Sequence, residues 1–121
     1  MLHGGPIRVE HEEVARAHGA TVARGILGSD APHDAVPYFF SDLADWVGLE
    51  YVGPATTWDE EVVLGRMDKA RPDASFAVWY LERGRVRGML SVNGGADIET
   101  ACELISSGEI VQPAGLAAGR T

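Results

Sequence analysis

ASFAVWYLERGRVRGMLSVN, Ala74 to Asn93, carries the topology of this chain. Two alternating segments, each long enough for a strand, meet at Arg83-Gly84, where glycine supplies the positive φ of a tight hairpin turn. Strict alternation along the second segment puts Val86, Gly88, Leu90 and Val92 on one face and Arg85, Arg87, Met89 and Ser91 on the other. Half of the resulting sheet is expected to be wet, or covered by something polar.

The neighbouring segments extend this hairpin in both directions. Upstream, Glu60 to Gly65 holds a short apolar run, and LEYVG, Leu49 to Gly53, alternates before it ends in Gly53-Pro54. Downstream, ADIETACELISSG has Ile98, Ala101, Cys102 and Ile105 at helical spacing, with Asp97 as N-cap and Gly108 as terminator. A small-residue tail, PAGLAAGRT, closes the chain. Near the start, Glu10 to Leu27 reads as a helix with Val14, His18, Val22 and Ile26 recurring every four residues. Glu10, Glu12 and Glu13 fall in its first turn, where the positive end of the helix dipole favours them. Ala15, Gly19 and Ala23 leave one flank of that helix bare enough for another backbone to approach. The turn-rich GSDAPHDAVP follows, then VPYFFSDL, an aromatic run expected to lie between the helix and the first strand. The sum is an α+β fold: an N-terminal helix, then an antiparallel β-sheet with a C-terminal helix packed on it.

Length and composition bound the function. A chain of 121 residues, 45% hydrophobic and 23% charged, is an ordinary globular domain that can bury a core without metals or disulfides. Apolar runs stay well short of the roughly 20 residues a membrane-spanning helix needs, so no membrane is expected as partner. The N-terminus, MLHGGPIRVE, lacks the features of a secretory signal, and the expected location is cytoplasmic. A net charge of −8 repels phosphate backbones and argues against nucleic acid. The basic residues are nevertheless grouped, as Arg66, Lys69 and Arg71, and as Arg83, Arg85 and Arg87. The single cysteine, Cys102, excludes an intrachain disulfide and reads as a small buried residue.

Catalytic and metal motifs are absent. HEEVARAH has histidines seven apart, which on a helix is roughly 10 Å and too far to share one zinc. No GxGxxG, P-loop or GxSxG occurs, so a dinucleotide finds no phosphate cradle in this chain. Acidic pairs such as Asp42 and Asp45, or Glu60 and Glu61, read as solvated faces.

RVEH at Arg8 to His11, the Ala/Gly-rich helix ending in GILG, the loop with Pro32, VPYFFSDL and LEYVG together form a more specific pattern. In their order and spacing they resemble the C-terminal part of the FAD-dependent pyridine nucleotide oxidoreductases of the ferredoxin and rubredoxin reductase group. That group is related to apoptosis-inducing factor and monodehydroascorbate reductase. The resemblance implies that residues 1–34 close an FAD-binding domain and that residues 35–121 are the reductase C-terminal α+β domain. It also implies that Glu10, His11 and Glu12 lie nearest the flavin, at a helix N-terminus suited to the anionic N1–O2 edge of the reduced ring. Phe39 and Phe40 are implied where the domain closes over that ring. Two residues depart from the group: Glu12 stands where an aromatic or histidine is common, and Phe40 where tryptophan is.

The same resemblance places the two nucleotide-binding folds before Met1, in a partner chain or longer parent, without which FAD is not expected to bind. The expected function is thus the flavin-capping and partner-docking portion of an NAD(P)H-dependent oxidoreductase, inactive alone. Arg83, Arg85 and Arg87 would meet an acidic ferredoxin or rubredoxin, and in isolation the chain would self-associate through the bare helix flank or leave that helix exposed. The alternative is a free-standing α+β interaction or dimerisation module with no redox role.

Overall fold

The hairpin forms as the sequence implies, and the rest of the sheet grows on both its edges. The computed structural model describes residues 5–67 and 74–117. In chain order the elements are α1 (Glu12–Ile26), β1 (Tyr38–Ala44), β2 (Val47–Val52), β3 (Glu60–Arg66), β4 (Ser75–Glu82), β5 (Arg85–Val92), α2 (Ile98–Ser107) and α3 (Pro113–Ala117). The five strands form one antiparallel sheet in the order β1-β2-β5-β4-β3. Of the first basic group, Lys69 and Arg71 lie outside the described residues.

Helix α2 covers one face of the sheet. Val52, Ala77, Trp79, Leu81, Val86 and Met89 meet Ala101, Leu104 and Ile105 in the core. Both ends of α2 are capped as read from the sequence. Asp97 accepts from the Thr100 backbone N–H at 2.7 Å, and Gly108 takes the left-handed conformation while its N–H returns to the Leu104 carbonyl. Cys102 is half-buried at the edge of this core, and burial pushes its thiol pKa up.

Strict alternation fails in β5, and the reason is a bulge. Tyr80 pairs with Gly88 but Leu81 pairs with Val86, so Arg87 is an extra residue on β5. Past it the faces exchange. Met89 and Ser91 are buried beside Trp79 and Ala77 on the α2 side, while Gly88, Leu90 and Val92 turn to the opposite face. Ser91 is satisfied there by the Ala96 backbone, its hydroxyl donating to the carbonyl at 3.1 Å and accepting from the N–H at 3.2 Å. At the hairpin turn both Arg83 and Gly84 have positive φ, 53° and 72°, which is the I′ geometry that suits the strand twist.

Two further expectations change. The aromatic run is not a connector: Tyr38 to Ala44 is itself the first strand, paired residue for residue with β2 from Tyr38–Val52 to Asp42–Gly48. The expected apolar stripe of α1 is mostly uncovered, with Val14 buried but His18, Val22 and Ile26 exposed, because the helix meets the sheet chiefly beside β1. Ala15, Gly19 and Ala23 are exposed as well.

Gly53 locks the bulge to β2. Its φ is 120°, and a Cβ there would stand 2.4 Å from the Arg87 carbonyl oxygen and 2.6 Å from the Gly88 Cα. Gly53→Ala is therefore expected to cost roughly 3 kcal/mol of stability through backbone strain and collision. Gly19→Ala, in open space on α1, is expected to be neutral or to stabilise by up to about 1 kcal/mol. Urea denaturation of the two variants measures the contrast.

Candidate functional site

The sheet face away from α2 carries a row of aromatic rings. His11 lies on Phe39 with ring centroids 4.4 Å apart, Phe39 is 5.6 Å from Tyr51, Tyr51 is 6.3 Å from Tyr80, and Tyr80 is 4.9 Å from Trp58. Register explains the first step, since Phe39 pairs directly with Tyr51. Next to it, Tyr51 crosses the strand at Gly88, where any side chain would strike its hydroxyl at 2.5 Å. Trp58 closes the row by donating from Nε1 to Glu61 at 2.7 Å. The sequence stretch VPYFFSDL pointed to aromatic packing, but Tyr51, Tyr80 and Trp58 were missed as partners. Their alternation was visible; the bulge that aligns them was not.

At one end of this row lies the start of α1. His11 is the N-cap residue, extended in backbone and making no side-chain cap hydrogen bond, so the first helical N–H groups keep no capping side chain. The His11 Nδ1 is buried and has no hydrogen-bond partner among the described residues. Glu10 and Glu12 do not converge on it. Glu10 pairs with Arg8 at 3.0 Å and Glu12 with Arg16 at 2.8 Å, both in solvent-exposed positions. Arg16 thereby offsets the extra negative charge that Glu12 brings to the helix start.

Phe39 and Phe40 point to opposite faces of β1, as neighbours in a strand must. Phe39 joins the His11 end of the row, whereas Phe40 stands 63% exposed on the other face. Beyond Phe40 the β1–β2 turn exposes Leu43 and Trp46 as well. Beside Phe40, the Tyr38 hydroxyl donates to Glu50 at 2.7 Å.

The three arginines of the hairpin are not equivalent. Arg83 and Arg85 are exposed, while Arg87, the bulge residue, is half-buried with its Nε 3.7 Å from a Glu82 carboxylate oxygen. Asp59 accepts from the Arg83 backbone N–H at 2.9 Å, which fixes the turn rather than the side-chain charge. This end of the sheet is opposite the exposed β1–β2 turn, because β5 starts at the one and ends beside the other. No group of three or more metal-ligating side chains is assembled among the described residues.

The model of the family described as "Reductase C-terminal" matches residues 38–121, the sheet together with α2 and α3. The chain belongs to that family. It is 37% identical over 108 residues to the 5,5'-dehydrodivanillate O-demethylase ferredoxin reductase subunit of a Sphingobium species, a match over 89% of this chain and 25% of that relative. Putidaredoxin reductase of Pseudomonas putida is 29% identical, over 88% of this chain and 24% of its own length. Among solved structures, the covalent putidaredoxin reductase–putidaredoxin complex superimposes with a TM-score of 0.79 at 28% identity, covering 96% of this chain and 27% of that one. The chain thus corresponds to the C-terminal portion of ferredoxin reductase-like oxidoreductases and spans about a quarter of the curated relatives it matches. No helix among the described residues is long and apolar enough to cross a membrane.

Tyr38 offers a probe of the β1–β2 pair. The hydrogen bond to Glu50, with lesser help from burial and from the Glu50 and Glu13 charges, pushes its pKa from 10.0 up to about 12. A raised phenol pKa means that the neutral form is favoured by folding. Its contribution is present below pH 10 and is lost as pH rises from 10 to 12. In Glu50→Ala the Tyr38 ionisation is expected to fall back toward 10, read as tyrosinate absorbance with Tyr38→Phe as the blank.

Proposed function

We propose that this chain is the flavin-capping and partner-docking portion of an NAD(P)H-dependent FAD oxidoreductase whose nucleotide-binding folds lie in another chain or a longer parent. The observation that carries the reading is the start of α1: an N-terminus without a side-chain cap, a buried and unpartnered His11 Nδ1, and a flat ring, Phe39, packed beside it. Such a helix end stabilises an anion, an aromatic ring suits a flat heterocycle, and an orphan ring nitrogen invites a polar partner. A flavin fits all three. Bound there, FAD would supply the hydride acceptance and one-electron release that the chain's own side chains lack.

In this reading Glu10, His11 and Glu12 form the helix end that faces the flavin, and Phe39 packs at the ring. Phe40, on the opposite strand face, belongs at the rim of the site, with Leu43 and Trp46 beyond it. Residues 1–34 complete the FAD-binding domain. Helix α1 supports this division, because a 15-residue helix with Val14 as its buried residue relies on some other surface to cover its apolar side. The partner is a small acidic iron–sulfur protein such as a ferredoxin or rubredoxin. The two exposed arginines, Arg83 and Arg85, would draw it in through their local positive field, with Arg87 contributing less because Glu82 already engages it.

The chain alone is expected to leave NAD(P)H unoxidised and the fluorescence of added FAD unquenched. Joined to the nucleotide-binding portion of the related Sphingobium reductase subunit, it should yield a yellow protein that reduces ferricyanide with NADH or NADPH. His11→Ala and Phe39→Ala should each loosen FAD in that assembly by roughly tenfold, the scale of one lost hydrogen bond or aromatic contact. Unchanged FAD retention in both variants would remove the α1 end from the flavin site.

The docking reading has its own measurement. In the same assembly, changing Arg83, Arg85 and Arg87 to serine should slow reduction of the protein acceptor several-fold at low salt, with the difference fading as salt rises. Ferricyanide reduction should be unaffected, since that acceptor needs no docking. Equal rates with the protein acceptor at low salt would take the hairpin out of the docking surface.

A further inference from the structure

The sequence holds a single asparagine, Asn93, and a glycine follows it. Asn93 stands one residue past β5 with a φ of 48°, and Gly94 has a φ of 72°. The Gly95 N–H donates back to the Val92 carbonyl at 3.1 Å, which closes a tight turn of I′ character. Three segments of the chain meet on this asparagine. Its Oδ1 accepts from the Gly48 N–H at 2.9 Å, while Nδ2 donates to the Trp46 carbonyl at 3.1 Å and to the Ala74 carbonyl at 2.8 Å. The Asn93 backbone N–H donates to the Gly48 carbonyl, and its carbonyl accepts from the Ser75 hydroxyl. The side-chain amide thus ties the β1–β2 turn to the start of β4.

Asparagine before glycine is also a labile pair. The backbone nitrogen of the second residue can attack the side-chain Cγ of the first, and glycine has no Cβ to obstruct the approach. Gly94 is exposed, with open space where a Cβ would stand, so water and base have access to the turn. We propose that Asn93 is a modification site: it deamidates spontaneously, the native fold restrains the reaction through the side chain's own hydrogen bonds, and conversion releases the β1–β2 turn. In the reaction the Gly94 nitrogen gives its proton to solvent and bonds to Cγ, the Cγ–Nδ2 bond breaks, and ammonia leaves with a proton taken from solvent. Water then opens the succinimide ring at either carbonyl, leaving aspartate or isoaspartate. Nothing is oxidised or reduced. Turning Cγ toward the Gly94 nitrogen means giving up three backbone partners, so the reaction follows a local opening of the turn. Once formed, aspartate faces the Trp46 and Ala74 carbonyls with an acceptor in place of two N–H donors, and isoaspartate in addition lengthens the main chain. Asp42 and Glu50 border the same hollow, so the new charge meets like charges as well. The inference stands apart from the flavin reading, because water is the only co-reactant.

Incubation of the full chain at mildly alkaline pH, folded or unfolded in urea, provides the test. Proteolysis and mass spectrometry read the exchange of amide for acid in the peptide that spans Asn93-Gly94. The unfolded chain is expected to deamidate there at least about tenfold faster than the folded one and to give both aspartate and isoaspartate peptides. Asn93→Gly, which accepts the positive φ and has no amide, should show no such mass gain. Asn93→Asp should speed amide hydrogen exchange across Trp46 to Gly48 by roughly tenfold, while the Arg83 N–H, held by Asp59 at the other end of the sheet, keeps its parental rate. Equal rates in the folded and unfolded chains, an unconverted Asn93 in urea, a mass gain persisting in Asn93→Gly, or unchanged exchange at the β1–β2 turn in Asn93→Asp would each overturn the proposal. So would exchange raised equally at both ends of the sheet, since the change would then be general destabilisation rather than release of the turn.

Discussion

The bulge at Arg87 is the constraint on which the rest of the sheet depends. One extra residue in β5, opposite Tyr80, exchanges the two faces of the strand between Val86 and Met89. The exchange lets both of those side chains reach the α2 core, and it turns Gly88 toward the opposite face where Tyr51 crosses. Gly53 completes the lock from β2, because only a residue without a side chain can sit against the bulged backbone at that φ. The hydrophobic core and the aromatic row are thus two results of one local irregularity.

The sheet has a different task on each face. Toward α2 it is a packed core with capped helix ends and half-buried Cys102. On the other face, aromatic rings extend from the start of α1 to Trp58, with a polar anchor at Glu61. Helix α1 attaches to that face beside β1 and leaves Val22, Ile26 and Leu27 exposed. An uncovered apolar helix and an uncapped N-terminus are costly features in a domain that stands alone, and the proposed flavoprotein assembly would cover both. The family match and the quarter-length correspondence with ferredoxin reductases agree with that arrangement.

Charge divides along the sheet as well. Arg83 and Arg85 are exposed at the β4–β5 turn, while the β1–β2 turn presents Phe40, Leu43 and Trp46 among Asp42 and Asp45. In a chain of net charge −8 the basic turn is a local exception, and local fields govern encounter with a charged partner more than the total does. Arg87 differs from its two neighbours because the bulge brings it toward Glu82.

Elements that follow from short-range chemistry were legible in the residues themselves. The Arg83-Gly84 turn requires positive φ, Asp97 and Gly108 are a capping pair, and the spacing of Ile98, Ala101 and Ile105 is helical; each works through neighbours a few residues away. RVEH and VPYFFSDL carried the resemblance; the family to which the chain belongs is matched over residues 38–121. What stayed hidden was what distant segments impose on one another. Pairing with β2 makes a strand of the aromatic run, and the backbone of Gly53 against Arg87 accompanies the bulge that buries Met89 and Ser91. The meeting of His11 with Phe39, 28 residues later in the chain, likewise depends on how α1 seats beside β1. Alternation and propensity are properties of one segment, whereas register, bulges and the bonds that converge on the Asn93 amide arise only when several segments compete for the same space.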